Sequence, residues 1–178
     1  MSDYTHAIAI AQFEKVSYER FAADVYKSFP NKYYNDADIR EMYDNIILPS
    51  RSTKGSAGYD FYSPIHATVS PSCSVLIPTG IRCAIADGWF LALCPRSGLG
   101  FKHGVRLMNT VGIVDSDYYL AENEGHIMVK LSPHHNQSYL WDIAAGDKFC
   151  QGIFQPYGIT IDDNANNLRT GGFGSTGR

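Results

Sequence analysis

No apolar run in this 178-residue chain approaches the roughly 20 residues of a membrane-crossing helix, so no membrane partner is expected. Cysteine is scarce: Cys73, Cys83, Cys94 and Cys150 form no Cys-x-x-Cys pair and show no zinc-like spacing with histidine. They read as reduced, mostly buried thiols of a cytoplasmic compartment. The amino terminus lacks the basic region, apolar stretch and small-residue cleavage site of a secretory signal, so secretion is not expected. Basic residues are outnumbered, 15 Lys and Arg against 18 Asp and Glu, which leaves a net charge of -3. An extended nucleic-acid backbone calls for a basic face and is therefore not an expected partner. A small anionic ligand stays open, because a few local arginines suffice to hold one.

What is present is glycine, 16 residues, and aromatic side chains, 12 Tyr and 9 Phe with 2 Trp. The length fits one domain with an appendage and is enough to bury a real core. In SYERFAADVYKS, Tyr18, Phe21, Ala22 and Val25 share one helical face, with Ser17 as N-cap and Val16 and Phe21 as a hydrophobic staple. In NDADIREMYDNI, Ile39, Met42, Tyr43 and Ile46 share another. Residues 1–46 are thus expected to form a helical extension. After Pro49 the texture changes to short β-branched and aromatic runs (SVLIPTGIRCAI, WFLALC, HIMVKLS, KFCQGIF) separated by Gly, Pro, Asn and Asp. Residues 47–178 read as a mainly β domain, a jelly roll or barrel-like sandwich, ending in a glycine-rich arm over 169–178.

Several stretches are chemically loaded. The arm, RTGGFGSTGR, is too glycine-rich to fold alone, and a disordered tail satisfies its composition. Such a tail leaves Phe173 unexplained, whereas a lid ordering over a flat anionic ligand uses both the ring and the arginines. In CPRSGLG, Arg96, Ser97 and Gly98 supply a guanidinium, a hydroxyl and an unobstructed amide, either for phosphate oxygens or simply as a surface turn. In NTVGIVDSDYY an apolar strand runs into Asp115, which reads as a general base toward water or as a turn former at a hairpin tip. Gln151 in GDKFCQGIF faces a ligand or a strand neighbour, and Lys148 reads as the structural partner of a carboxylate. Asp60 in SAGYDFYSP sits among aromatics, which calls for a partner and has a buried ion pair as its plain reading. His134 and His135 fall in a loop with no second ligand pair and read as solvated.

Five of these stretches in order, AGYDFYS, PRSGLG, GIVDSDYY, GDKFCQ and GGFGSTG, closely resemble the five motifs of the trimeric dUTP pyrophosphatase (dUTPase) family. The resemblance spans about the last 130 residues. It implies a distorted jelly roll, a homotrimer with active sites at subunit interfaces, and hydrolysis of dUTP to dUMP and pyrophosphate. By the same resemblance, Asp115 is the general base that activates water, and Tyr118 lies against the deoxyribose. Asn109 contacts uracil, and Arg96, Ser97, Gly98 and Gln151 hold phosphates. The arm closes over the nucleotide, Phe173 stacks on uracil, and Arg169, Gly174 and Ser175 occupy arm positions that contact substrate. Mg2+ arrives on the triphosphate, with Asp60 near its water shell.

The chain departs from the family pattern twice. Arg169 precedes Phe173 by four residues where the family arm has five, and Leu120–Glu124 is inserted before Gly125. The resemblance also leaves the helical extension unassigned. Two other readings keep the fold: a dCTP deaminase, which needs a glutamate beside the base and has Glu122 and Glu124 nearest, and a nucleotide-sensing module acting through the extension or the long hairpin.

Overall fold

In the computed structural model, residues 8–71, 73–133, 140–167 and 171 are described. The amino-terminal part contains β1 (Ala11–Lys15), α1 (Tyr18–Ser28) and α2 (Asp36–Asp44). Short strands follow: β2 (Ser50–Arg51), β3 (Tyr59–Tyr62), β4 (Ala67–Val69), β5 (Val75–Pro78), β6 (Ile81–Ile85) and β7 (Trp89–Pro95). After α3 (Ser97–His103) come β8 (Val105–Leu107), β9 (Gly112–Val114) and a 3-10 turn over Ser116–Leu120. The chain then forms β10 (Met128–Pro133), β11 (Trp141–Ile143) and β12 (Lys148–Pro156).

The strands form a five-stranded sheet in the order β2-β3-β12-β7-β9, a three-stranded sheet β5-β10-β8, and the pairs β1-β6 and β11-β4. Every pairing among the described residues is antiparallel, as a mainly β, distorted jelly roll requires. The period-two pattern acts strand by strand. In β10, Val129 and Leu131 are buried while Lys130 between them points out.

Both expected helices form. The Ser17 hydroxyl accepts from Arg20 N at 3.2 Å, and Phe21 and Val25 on the apolar face are fully buried. A capping box closes the start of α2: Asn35 Oδ1 accepts from Asp38 N, and Asp38 Oδ2 accepts from Asn35 N, both at 2.9 Å. The extension is not helical throughout, however, because Ala11–Lys15 is a strand paired with β6 from Ala11↔Ile85 to Lys15↔Ile81. Its AQFEK alternation is a strand signal only five residues long, and the strong helical pattern that starts at Ser17 masks it.

Phe13 on β1 meets Phe61 on β3 edge-on, ring centroids 5.7 Å apart. Val16, Phe21, Val25 and Ile39 belong to one core cluster with Phe61, Ile77, Leu91, Leu131 and Phe149. Each such burial contributes about 1.5–3 kcal/mol, so the extension is held by the same core as the strands. All four cysteines are free thiols. Burial pushes the Cys83 thiol up to about 12, which keeps it protonated and inert. Among the described residues no helix is long and apolar enough to cross a membrane.

Candidate active site

Three adjacent strands build the first cluster. Gln151 on β12 stands opposite Asp60 on β3 and opposite Cys94 on β7, so motifs almost a hundred residues apart meet across two ladder steps. Asp60 is only 6% exposed, and its carboxylate is saturated: Oδ1 pairs with Arg96 Nε at 3.1 Å, and Oδ2 with Lys148 Nζ at 2.9 Å and the Ser52 hydroxyl at 2.7 Å. Burial by itself would raise its pKa. The hydrogen bonds from Lys148 and Ser52 and the charge of Arg96 outweigh that effect and hold the carboxyl below the usual range. The ion-pair reading of Asp60 and the structural reading of Lys148 therefore describe one interaction.

Asp60 orients Arg96 rather than neutralising all of it. Nε is taken by Asp60, and one Nη donates to the Lys148 carbonyl at 3.4 Å, while the side chain stays 39% exposed. The remaining guanidinium N–H groups are available to an anion. Ser97 and Gly98, read from sequence as a turn, open α3 instead, where the first amides have no carbonyl four residues back to bond. Helix α3 ends at Gly104, whose left-handed backbone (φ 54) suits glycine. Gln151 Nε2 donates to the Pro95 carbonyl at 3.3 Å, and Asp60, Arg96, Ser97 and Gln151 line a cavity of about 390 Å³. Gly58 completes that cavity, since a Cβ there would lie 2.4 Å from Gln151 Oε1.

The second cluster is the connection from β8 to β9, two strands that belong to different sheets. Asn109 is exposed within it and lines a different cavity, of about 570 Å³, together with Asp24 and Lys27 of α1, Asn123, Met128 and Lys130. Thr110 beside it has φ 65, a left-handed conformation costly for a β-branched residue and characteristic of sites fixed by their surroundings. A Cβ at Gly112 would crowd Leu93 at 3.2 Å and touch the Asn109 amide at 3.4 Å, so the glycine lets Asn109 sit close against β7. Asp115 follows β9 at the start of the 3-10 turn, exposed, with its carbonyl accepting from Tyr118 N at 3.2 Å.

The structure departs from expectation at Tyr118. The ring is 1% exposed in the single chain, and its hydroxyl donates to the His126 carbonyl at 2.8 Å and accepts from Asn123 Nδ2 at 2.7 Å. Within the described residues its hydroxyl braces the 3-10 turn from inside. Arg169, Phe173, Gly174 and Ser175 lie outside the described residues, as do His134 and His135. Sequence reasoning did not find Ser52, Asp24, Asn123 or His126. No motif marks them, because each acquires its role through a contact distant in the chain.

The clusters are far apart within one chain. Val114 pairs with Leu91 while Asp60 and Cys94 flank Gln151. Three strand spacings across and four residues along set Asp115 on the order of 20 Å from Asp60. Groups that serve one reacting phosphate must act within roughly 3–3.5 Å of it. Asp115 and Asp60 thus stand at separate places on one sheet. Among the described residues no group of three or more His, Cys, Asp or Glu side chains is placed to hold a metal ion.

A profile of the dUTPase family matches residues 44–177. The deoxyuridine 5'-triphosphate nucleotidohydrolase of Finegoldia magna is 40% identical over 142 residues, covering 75% of this chain and 93% of its own. That of Lactococcus lactis is 37% identical over 135 residues, covering 74% and 89%. Among solved structures, the dUTPase of Streptococcus mutans superposes with a TM-score of 0.62 at 31% identity, covering 85% of this chain and 98% of its own.

Proposed function

The chain belongs to the dUTPase family, and from that premise we propose how its residues carry out the hydrolysis of dUTP to dUMP and pyrophosphate. Asp115 takes a proton from a water molecule as the water oxygen bonds to the α-phosphorus and the bond from that phosphorus to the β-phosphate bridging oxygen breaks. The proton rests on the Asp115 carboxylate and pyrophosphate leaves. General-base assistance of this kind contributes about 10²–10⁴-fold. Arg96, Ser97, Gly98 and Gln151 hold the phosphate chain in line, with Arg96 aimed by Asp60. Asn109 binds the uracil edge. The arm closes with Phe173 on the base and Arg169, Gly174 and Ser175 toward the phosphates.

The observation that carries this reading is the separation of the anion cluster and the Asp115 turn on one sheet. It supports a homotrimer in which neighbouring copies complete each other's sites. The exposed apolar side chains Met108, Val111 and Ile113 around the β8–β9 connection support a partner there. The donor set fits a Mg2+ ion that arrives on the triphosphate, because both Asp60 oxygens are already paired and reach an ion only through water. When bound, that ion neutralises charge on the phosphate oxygens. The four free thiols suit a cytoplasmic compartment. The deaminase reading loses one of its two candidate glutamates: Glu124 accepts from Ser17 N at 2.8 Å and from Ser17 Oγ at 2.6 Å.

A panel of dUTP, dCTP and dTTP with Mg2+ tests the assignment, dUMP and pyrophosphate forming from dUTP alone. Equal turnover of the three overturns it. Asp115→Asn is expected to bind nucleotide and lose about 10²–10⁴-fold in kcat; wild-type kcat in that variant removes Asp115 from the base role.

A further inference from the structure

The two parts of the chain that the five motifs leave unassigned are bonded to each other. Glu124, at the end of the inserted segment, has φ 59 and holds its carboxylate on the backbone N–H and hydroxyl of Ser17, the N-cap of α1. That contact offsets the cost of a left-handed non-glycine residue. Two turns further along α1, Asp24 Oδ2 lies 2.7 Å from Nδ1 of His126, which is 0% exposed. The tautomer follows from the other ring nitrogen. Nε2 accepts from Gly80 N at 2.8 Å, so the proton sits on Nδ1 and is donated to Asp24.

The His126 carbonyl then accepts from the Tyr118 hydroxyl at 2.8 Å and from Asn123 Nδ2 at 3.4 Å. From α1 to Asn123 is thus a short, buried chain of hydrogen bonds. It ends in the wall of the cavity that contains Asn109, and Asp24, Lys27 and Asn123 form that wall opposite Met128 and Lys130. A purely structural brace would close this space. Here it stays open at about 570 Å³, lined by apolar Leu76, Met108 and Met128 as well as by polar side chains, the combination that holds a planar heterocycle.

We propose that α1 and the Leu120–Glu124 segment together form, in cis, one wall of the base-binding cavity, with Lys27 and Asn123 facing the base and the Asp24–His126 pair positioning Asn123. The proposal rests on the reading of Asn109 as the base contact. The wall acts on nucleotide affinity and leaves the proton transfer at Asp115 alone.

The test measures Kd for the non-hydrolysable analogue α,β-imido-dUTP and KM and kcat for dUTP, in the full-length protein. Lys27→Ala, an exposed position that does not threaten folding, and Asp24→Ala are expected to raise Kd and KM in parallel by about fivefold, as for one lost hydrogen bond, with kcat within about twofold of wild type. Asp24→Asn keeps an acceptor for His126 Nδ1 and recovers most of the affinity lost in the alanine variant. Unchanged Kd in folded Lys27→Ala and Asp24→Ala overturns the proposal, as does a fall in kcat at constant KM. Asn109→Ala, run alongside, separates the two readings. If it alone raises Kd, the wall fails and the base contact stands; if it alone leaves Kd unchanged, the wall stands and the base contact fails.

Discussion

Gly58 shows how one missing side chain positions another. Its Cα approaches Gln151 so closely that a Cβ would fall 2.4 Å from Oε1, the far end of a flexible side chain. Gly58→Ala therefore displaces the amide without disturbing backbone. We expect Tm to stay within about 2 °C of wild type, because the lost glycine freedom in the unfolded chain compensates. KM for dUTP is expected to rise about tenfold, the size of a lost hydrogen bond to a charged group; calorimetry and steady-state kinetics on one preparation check both. Residues of this kind limit what sequence reveals. Asp60, Arg96 and Gln151 were legible because their chemistry is unusual for their surroundings. Ser52 and His126 were not, since nothing in a lone serine or a histidine before IMVK announces a partner 8 residues or 102 residues away. The tyrosine of DSDYY was legible as important, but its burial was not, because burial depends on what packs over it.

At the scale of elements, the extension is attached by carboxylates. Glu14 binds the Tyr119 hydroxyl and Arg82, Asp24 binds His126 with Arg20 nearby, and Glu124 binds Ser17. All three carboxyls are held below their ordinary range. For Glu14 the leading cause is the Tyr119 hydrogen bond. For Asp24 and Glu124 the bonds to His126 and Ser17, with neighbouring positive charge, overcome burial. A carboxyl lowered in the folded state adds stability above the unfolded range near pH 4, and that stability is lost as pH falls through the folded values. Hydrogen exchange should therefore show α1 amides losing protection below about pH 4 before the amides of β7 and β12 do. Loss of protection in all three elements at one pH contradicts the docking role. Both helices were readable from a 3.6-residue apolar period, the first also from its Ser17 cap, whereas the Asn35 capping box of α2 was not read. β1 was not, because five residues carry little periodic signal, and its pairing with β6 is set by contacts seventy residues away.

For the whole molecule, the decisive feature is that the Asp60–Arg96–Gln151 cluster on β3, β12 and β7 and the Asp115 turn after β9 lie apart on one sheet. On the proposed trimer, Arg96→Ala spoils one half-site of every chain and Asp115→Asn the other, so each variant alone is nearly inactive. Mixed, unfolded and refolded together, they should regain about a quarter of the sites, those in which an intact Asp115 turn meets an intact anion cluster from its neighbour. No recovery above the sum of the two would mean that each chain works with its own residues only. The fold class and the order of the motifs were legible because they are local or nearly so. The distance between the Asp60 cluster and Asp115 could not be read from any residue, only anticipated from the resemblance, since it emerges from the register β3-β12-β7-β9. That register has a consequence for biogenesis. The strand wedged between β3 and β7 is β12, Lys148–Pro156, made after every other strand of that sheet. While the ribosome still holds it, the nascent sheet has a gap at its centre, β3 and β7 expose unpaired edges, and a translational stall there leaves an intermediate open to chaperones and to edge-to-edge aggregation.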